Sequence, residues 1–218
     1  MKKNLIALAL LAVAGASHAG AYIVDDFNTG AQNISQDVVA GTPVESTVTE
    51  RVLSIIKTAG DDGDVAKARV NTTAGKLSVS NDSGVDSTVG VSWNLAAGVV
   101  PLNVLDVSFL FKIILSDGNP TDIAFTLNGT NIYSSAIPGN TSNTDKTFTL
   151  DPALISAGGV LALTLNGAPG WDLELDAFGI SWTDPVTPPN PPAPIPEPAS
   201  MALMGLGALG LAAVRRRK

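Results

Sequence analysis

Between residues 21 and 182 apolar side chains recur at every second position, in short runs broken by turn residues. Val85, Val89, Val91, Trp93 and Leu95 share one parity, as do Val107, Phe109, Phe111, Ile113 and Leu115. Ile123, Phe125 and Leu127 run up to Asn128-Gly129, and Leu161, Leu163 and Leu165 run up to Asn166-Gly167. A period of two sends alternate side chains to opposite faces of a strand, and Asn-Gly is the strongest short hairpin signal. Gly, Asn, Asp and Pro cluster at 61–64, 81–84, 117–120 and 138–144, where turns are expected. Many short strands separated by turns predict an all-β fold, an antiparallel β-sandwich of jelly-roll type, over residues 20–184. No stretch there has a sustained helical period; residues 151–157 are expected to form a turn or two of helix. No internal repeat is visible.

The two ends follow other patterns. Residues 1–19 combine Lys2-Lys3, an apolar run over 5–14 and a small-x-small end at Ser17-His18-Ala19. That order predicts a secretory signal peptide cleaved after Ala19. Pro188, Pro189, Pro191, Pro192 and Pro194 make residues 185–195 an extended spacer with no core of its own. Then come Pro196-Glu197-Pro198, an uncharged apolar run over 199–214, and Arg215-Arg216-Arg217-Lys218. An uncharged helix of roughly sixteen residues rises about 24 Å, just short of a hydrocarbon core. The cationic cluster would hold its end at a cytoplasmic face. Residues 196–218 are therefore expected to contain a single transmembrane helix.

This tail resembles the PEP-CTERM sorting tail of Gram-negative bacteria, in which motif, helix and basic end follow in the same order. The resemblance covers about the last 23 residues of the 218. It implies recognition by a membrane-embedded exosortase at Pro196, Glu197 and Pro198, with Arg215, Arg216 and Arg217 as the stop. It further implies an inner-membrane precursor, delivery to the cell surface, and association with exopolysaccharide.

Composition narrows the domain between the ends. The formal net charge is −7, but six of the thirteen basic residues lie at the termini, and residues 20–196 hold seven basic against nineteen acidic side chains. So acidic a domain lacks the footprint for nucleic acid and would be repelled by anionic lipid. There is no cysteine, and the one histidine, His18, falls in the signal peptide. A mature chain without His or Cys cannot run a Ser-His-Asp or Cys-His mechanism and lacks the usual ligands of catalytic zinc. Any catalysis would fall to carboxylates.

Asp172, Glu174 and Asp176 alternate with Leu173, Leu175 and Ala177, which sets three carboxylates on one strand face about 6.6 Å apart. The spacing is loosely that of a glycosidase pair, but a solvated sheet face explains it more cheaply. Beyond Ala177 the apolar phase slips to Phe178, Ile180 and Trp182, so a bulge near 177–179 is expected. β-Sandwich proteins resembling carbohydrate-binding modules hold a structural Ca²⁺ with an early and a late-strand aspartate. That resemblance implies Asp25, Asp26 and Asp176 as metal ligands. No cofactor is required by the pattern; Ca²⁺ is the one it admits. Asp61-Asp62-Gly63-Asp64 lacks EF-hand spacing and reads as a turn. Among the aromatics, Trp93 keeps core parity, whereas Trp171 follows Gly167-Ala168-Pro169-Gly170 and is the candidate glycan platform at a loop rim.

The expected function is that of an exported surface or matrix protein, structural or adhesive, with glycan binding as an option and no enzymatic activity. Exosortase, the inner membrane and exopolysaccharide are its expected partners. The alternative is a carboxylate-dependent glycan-active enzyme.

Overall fold

A computed structural model describes residues 19–39 and 41–185. The signal-peptide run, most of the Pro-rich spacer, the Pro196-Glu197-Pro198 motif and the expected transmembrane helix lie outside these residues. The chain divides into two compact units, Met1–Pro185 and Val186–Lys218, and the whole of the second is likewise outside. Among the described residues no helix is long and apolar enough to cross a membrane.

In chain order the strands are β1 (Ala19–Asp25), β2 (Gln32–Gln36), β3 (Val44–Val48), β4 (Arg51–Ala59), β5 (Ala66–Asn71), β6 (Lys76–Asn81) and β7 (Asp86–Leu95). There follow β8 (Leu105–Ser116), β9 (Thr121–Leu127), β10 (Thr130–Ile137), β11 (Ser142–Thr149), the helix α1 (Pro152–Ser156), β12 (Gly159–Gly167) and β13 (Leu173–Thr183). They form an antiparallel sandwich of two sheets. One has seven strands in the order β11-β8-β13-β6-β5-β2, with β1 also paired to β13; the other has six in the order β10-β9-β12-β7-β4-β3. From β6 onward the chain changes sheet at every connection except the β9–β10 hairpin.

The alternation read from the sequence is the alternation of burial. Val89, Val91, Trp93 and Leu95 on β7, and Leu161, Leu163 and Leu165 on β12, all face the other sheet. Asn128 and Gly129 turn β9 into β10 with φ of 51° and 78°, left-handed values that a two-residue hairpin needs and glycine tolerates best. Asp151 caps α1, its carboxylate accepting from Ala153 N–H at 2.9 Å.

Two expectations change. Asn166-Gly167 is not a turn: both residues continue β12, pairing with Asp122 and Thr121 of β9, and the chain bends only afterwards. Leu115 faces solvent at 49% exposure, while Ser116 is buried. The cause is a bulge on β8, where Glu174 faces Leu115 but Leu175 faces Ile113, so one extra residue reverses the parity. The expected bulge on β13 sits between Leu175 and Phe178 and brings Phe178 and Ile180 into the core.

The two open edges of the sandwich are closed by different chemistry. At the β10/β11 edge Tyr133 stacks on Phe148, ring centroids 4.2 Å apart, over Phe109, Phe111 and Phe125. At the β2/β3/β4 edge the closure is polar. Arg51 and Lys57 flank Leu53 and Ile55 on the buried face of β4, and Gln32 and Gln36 flank Ile34 on β2. Arg51 Nε donates to Gln32 Oε1 at 2.6 Å, and Lys57 N–H donates to Gln36 Oε1 at 2.7 Å. The two glutamine amides pass the chain of bonds on to Ser46 O and Thr42 O.

Candidate functional site

The outer face of the six-stranded sheet is a grid fixed by register. One row across it reads Ser134, Ala124, Thr164, Gly90, Ser54 and Glu45, from β10 to β3. The neighbouring row passes through Asp122, Asn166 and Thr88, where Asn166 Nδ2 donates to Thr88 Oγ1 at 3.1 Å. From β10 to β7 short side chains keep these rows low. Between β10, β9 and β12 they leave a groove of about 330 Å³ lined by Asp122, Ala124, Ser134, Ala136, Thr164 and Asn166. It offers hydroxyls, one amide and one carboxylate over a floor of methyl groups. That is a surface for a ligand rich in hydroxyls.

Charge separates the two outer faces. Of the domain's basic residues other than Arg51 and Lys57, Lys67, Arg69, Lys76 and Lys112 stand on the outward parity of the seven-stranded sheet, and Lys146, opposite Phe111, shares the inward parity of Phe148 at the edge strand β11. The grooved sheet carries only Arg51 and Lys57, both buried. A second hollow, about 400 Å³, lies beside Arg69, Asn33 and Asn71 at the β2/β5 edge. It is the hollow that would suit an anion, against the acidic excess of the whole domain.

Trp171, the expected sugar platform, is fully buried. Its indole Nε1 donates to Ser87 O at 3.3 Å, and its ring lies against Gly167, where an added Cβ would meet Trp171 Cγ at 2.6 Å. A ring with no exposed face cannot stack on a ligand; Trp171 is a plug at the end of the core. Trp93 keeps its core position, 4% exposed.

Asp25, Asp26 and Asp176 do not assemble as a ligand set; among the described residues no group of three or more His, Cys, Asp or Glu could hold a metal ion. Asp25 Oδ1 accepts from Phe27 N–H at 2.8 Å, and Oδ2 accepts from Arg51 Nη1 at 2.6 Å and from Trp93 Nε1 at 2.7 Å. Both oxygens are thus turned to the chain itself. Asp26 caps the turn at Asn28 N–H, and Asp176, inside the β13 bulge, accepts from Ala177 N–H at 2.7 Å. The cation beside Asp25 is a guanidinium. Arg51 also donates to Thr29 O at 3.0 Å and to Gly30 O, and lies over the Phe27 ring at 5.5 Å.

The expected row of acids at the start of β13 is likewise engaged. Glu174 pairs with Lys76 at 2.5 Å. Asp172 accepts from Asn81 N–H at 2.8 Å. Its carboxyl titrates above the ordinary range, first because burial disfavours the charge, and further because Asp117 and Asp82 stand near; the Asn81 bond opposes the shift. The folded state therefore holds this proton longer than the unfolded chain does. Stability falls as pH rises from the ordinary aspartate value through the raised one, so at neutral pH the charge is a cost. Asp172→Asn keeps an acceptor for Asn81 and removes that cost. Its melting temperature should exceed that of the parent at neutral pH and match it below the ordinary aspartate range. A lower value at neutral pH would show that the carboxylate is stabilising, and an equal one that its charge costs nothing.

Fold and surface together define an antiparallel two-sheet sandwich with a grooved, cation-free outer face. The chain carries the PEP-CTERM protein-sorting motif at residues 194–218, which marks an exported protein sorted through the membrane. No curated protein matches it in sequence. Among solved structures it is similar to a family 29 carbohydrate-binding module from Piromyces equi, with 7% identity, TM-score 0.37, and coverage of 77% of this chain and 93% of that one. It is also similar to the family 11 module from Clostridium thermocellum in complex with a β-1,3-1,4-mixed-linked tetrasaccharide, with 14% identity, TM-score 0.35, and coverage of 76% and 96%. For TmCBM61 in complex with β-1,4-galactotriose the values are 13%, 0.31, 59% and 80%. These scores stay below the level at which a likeness carries over to a site.

Proposed function

We propose that this chain is a cell-surface or extracellular-matrix protein whose sandwich holds a neutral, extended glycan on the outer face of the six-stranded sheet, without cleaving it. A signal peptide exports it, the tail holds an inner-membrane precursor, and an exosortase acting at Pro196-Glu197-Pro198 releases it to the surface. There it would serve the exopolysaccharide matrix of a biofilm. The observation that carries the binding half is the segregation of charge: a low face of hydroxyls, amide and methyls with every exposed cation on the opposite sheet. Sulfated or phosphorylated chains find no counter-charge on that face, whereas a neutral sugar needs only hydroxyl partners and a flat floor. The enzyme reading is disfavoured by the engagement of Asp172 and Glu174 with Asn81 and Lys76, which leaves neither as a free partner across a groove.

Electrophoresis through gels cast with neutral polysaccharides tests this. The parent chain should be retarded, and Ala124→Arg, which raises a long cation in the middle of the groove, should weaken retardation about tenfold or more. Arg69→Ser on the other sheet should change little. Equal retardation of parent and Ala124→Arg would move the site elsewhere, and release of reducing ends would restore the enzyme reading.

A further inference from the structure

β4 ends its buried face on a lysine. Lys57 is fully buried, at the parity of Leu53 and Ile55, and its ammonium reaches the segments that follow β2 and β4. Nζ donates to three backbone carbonyl oxygens: Asp37 at 3.1 Å, Asp61 at 2.5 Å and Asp64 at 2.8 Å. An ammonium has three N–H donors, so its capacity is filled. The ion pairs among the described residues are Arg51–Asp25 and Lys76–Glu174, and neither involves Lys57. A full positive charge is thus held by neutral oxygens, the way proteins hold a hard metal cation.

The oxygens come from two segments. Asp37 follows β2 of the seven-stranded sheet, and Asp61 and Asp64 lie on the crossing from β4 to β5. Gly63 N–H donates to Asp37 O at 3.3 Å, so the segments also touch directly, and Asp64 N–H donates to Asp61 O at 3.2 Å within the second. Three carbonyl dipoles aimed at one point repel one another unless a cation stands there. The acidic turn at 61–64 accordingly has a centre, and the chain supplies it.

We infer that the carbonyls of Asp37, Asp61 and Asp64 form a cation site whose resident cation is the Lys57 ammonium. Filled from within, the site draws no ion from solution. Emptied by substitution, it would take a small hard cation such as Ca²⁺, aided by the aspartates of the same turn.

Thermal unfolding of the full chain in detergent tests the inference on the parent, Lys57→Ala and Lys57→Met. The parent should melt at the same temperature in chelator and in millimolar Ca²⁺. Lys57→Ala should melt about 5–10 °C lower in chelator and regain part of that loss with Ca²⁺. Lys57→Met, whose stem closes the approach, should lose without regaining. A Lys57→Ala chain that melts like the parent, or that regains nothing with Ca²⁺, overturns the inference, as does a parent stabilised by Ca²⁺. If neither variant folds, the parent still decides. Its Lys57 ammonium protons should exchange with solvent far more slowly than those of Lys67, and equal exchange would overturn the assignment.

Discussion

Replacing Arg51 with methionine should lower the stability of the domain by about 3–5 kcal/mol, the cost of breaking a buried ion pair from one side. The side chain is 6% exposed and bonds Asp25, Gln32, Thr29 and Gly30 at once. Without it the Asp25 carboxylate keeps Trp93 Nε1 and Phe27 N–H but loses its cation, and two carbonyl oxygens and the Gln32 amide oxygen lose a donor. The damage falls where β1, β2 and β4 meet, so the open edge of the sandwich should loosen first. Adding Asp25→Asn to Arg51→Met removes the stranded charge and should recover part of the loss. Lys76→Met offers the comparison: its pair with Glu174 is about a quarter exposed on each side, and an ion pair at a surface contributes at most about 1 kcal/mol. Urea unfolding of the set measures the difference. If Arg51→Met costs no more than Lys76→Met, the polar closure of this edge is ornamental.

Glu197→Ala should leave the precursor in the inner membrane with the sandwich intact. Proline on either side of Glu197 restricts φ at both neighbours and removes their N–H donors, so an enzyme reading the motif would meet one charged side chain between two rings. A recognised carboxylate contributes about 1.5–3 kcal/mol through charged hydrogen bonds, so processing should fall about tenfold to a hundredfold. Deleting residues 215–218 acts on another step, since it removes four cations that resist translocation and should impair retention at the membrane rather than recognition. Fractionation of tagged chains, read together with their mass, separates the two. Glu197→Ala arriving at the surface at mature mass would reduce the tail to an anchor.

The sandwich was legible because its core obeys a period of two, and the runs on β7, β9 and β12 carry that period without interruption. Where the period failed, the cause lay in pairing with a distant strand. Leu115 turns outward through a bulge against β13, and Asn166-Gly167 stays in strand because β9 extends that far. No local pattern distinguishes these from a regular run or from a hairpin. Trp171 looked exposed because a Gly-Pro loop precedes it, yet the Ser87 carbonyl and the bare backbone of Gly167 make its pocket from elsewhere in the chain. The cations were half visible. Arg51 and Lys57 stand at the apolar parity of β4, beside Leu53 and Ile55, a misplacement a count of apolar positions passes over. It was the signal that a buried polar closure existed. The grooved face could not be read at all, because alternate Ser, Thr, Ala and Asn describe any solvated sheet until register sets six strands side by side.

Amide shift mapping of the chain against a neutral oligosaccharide tests that face most directly. Titration should move the signals of Ala124, Ser134, Thr164 and Asn166 together, with one saturation curve, and leave those of Lys67, Arg69 and Lys76 in place. Shifts confined to the latter three strand positions, or to the hollow beside Arg69, would contradict the proposed site.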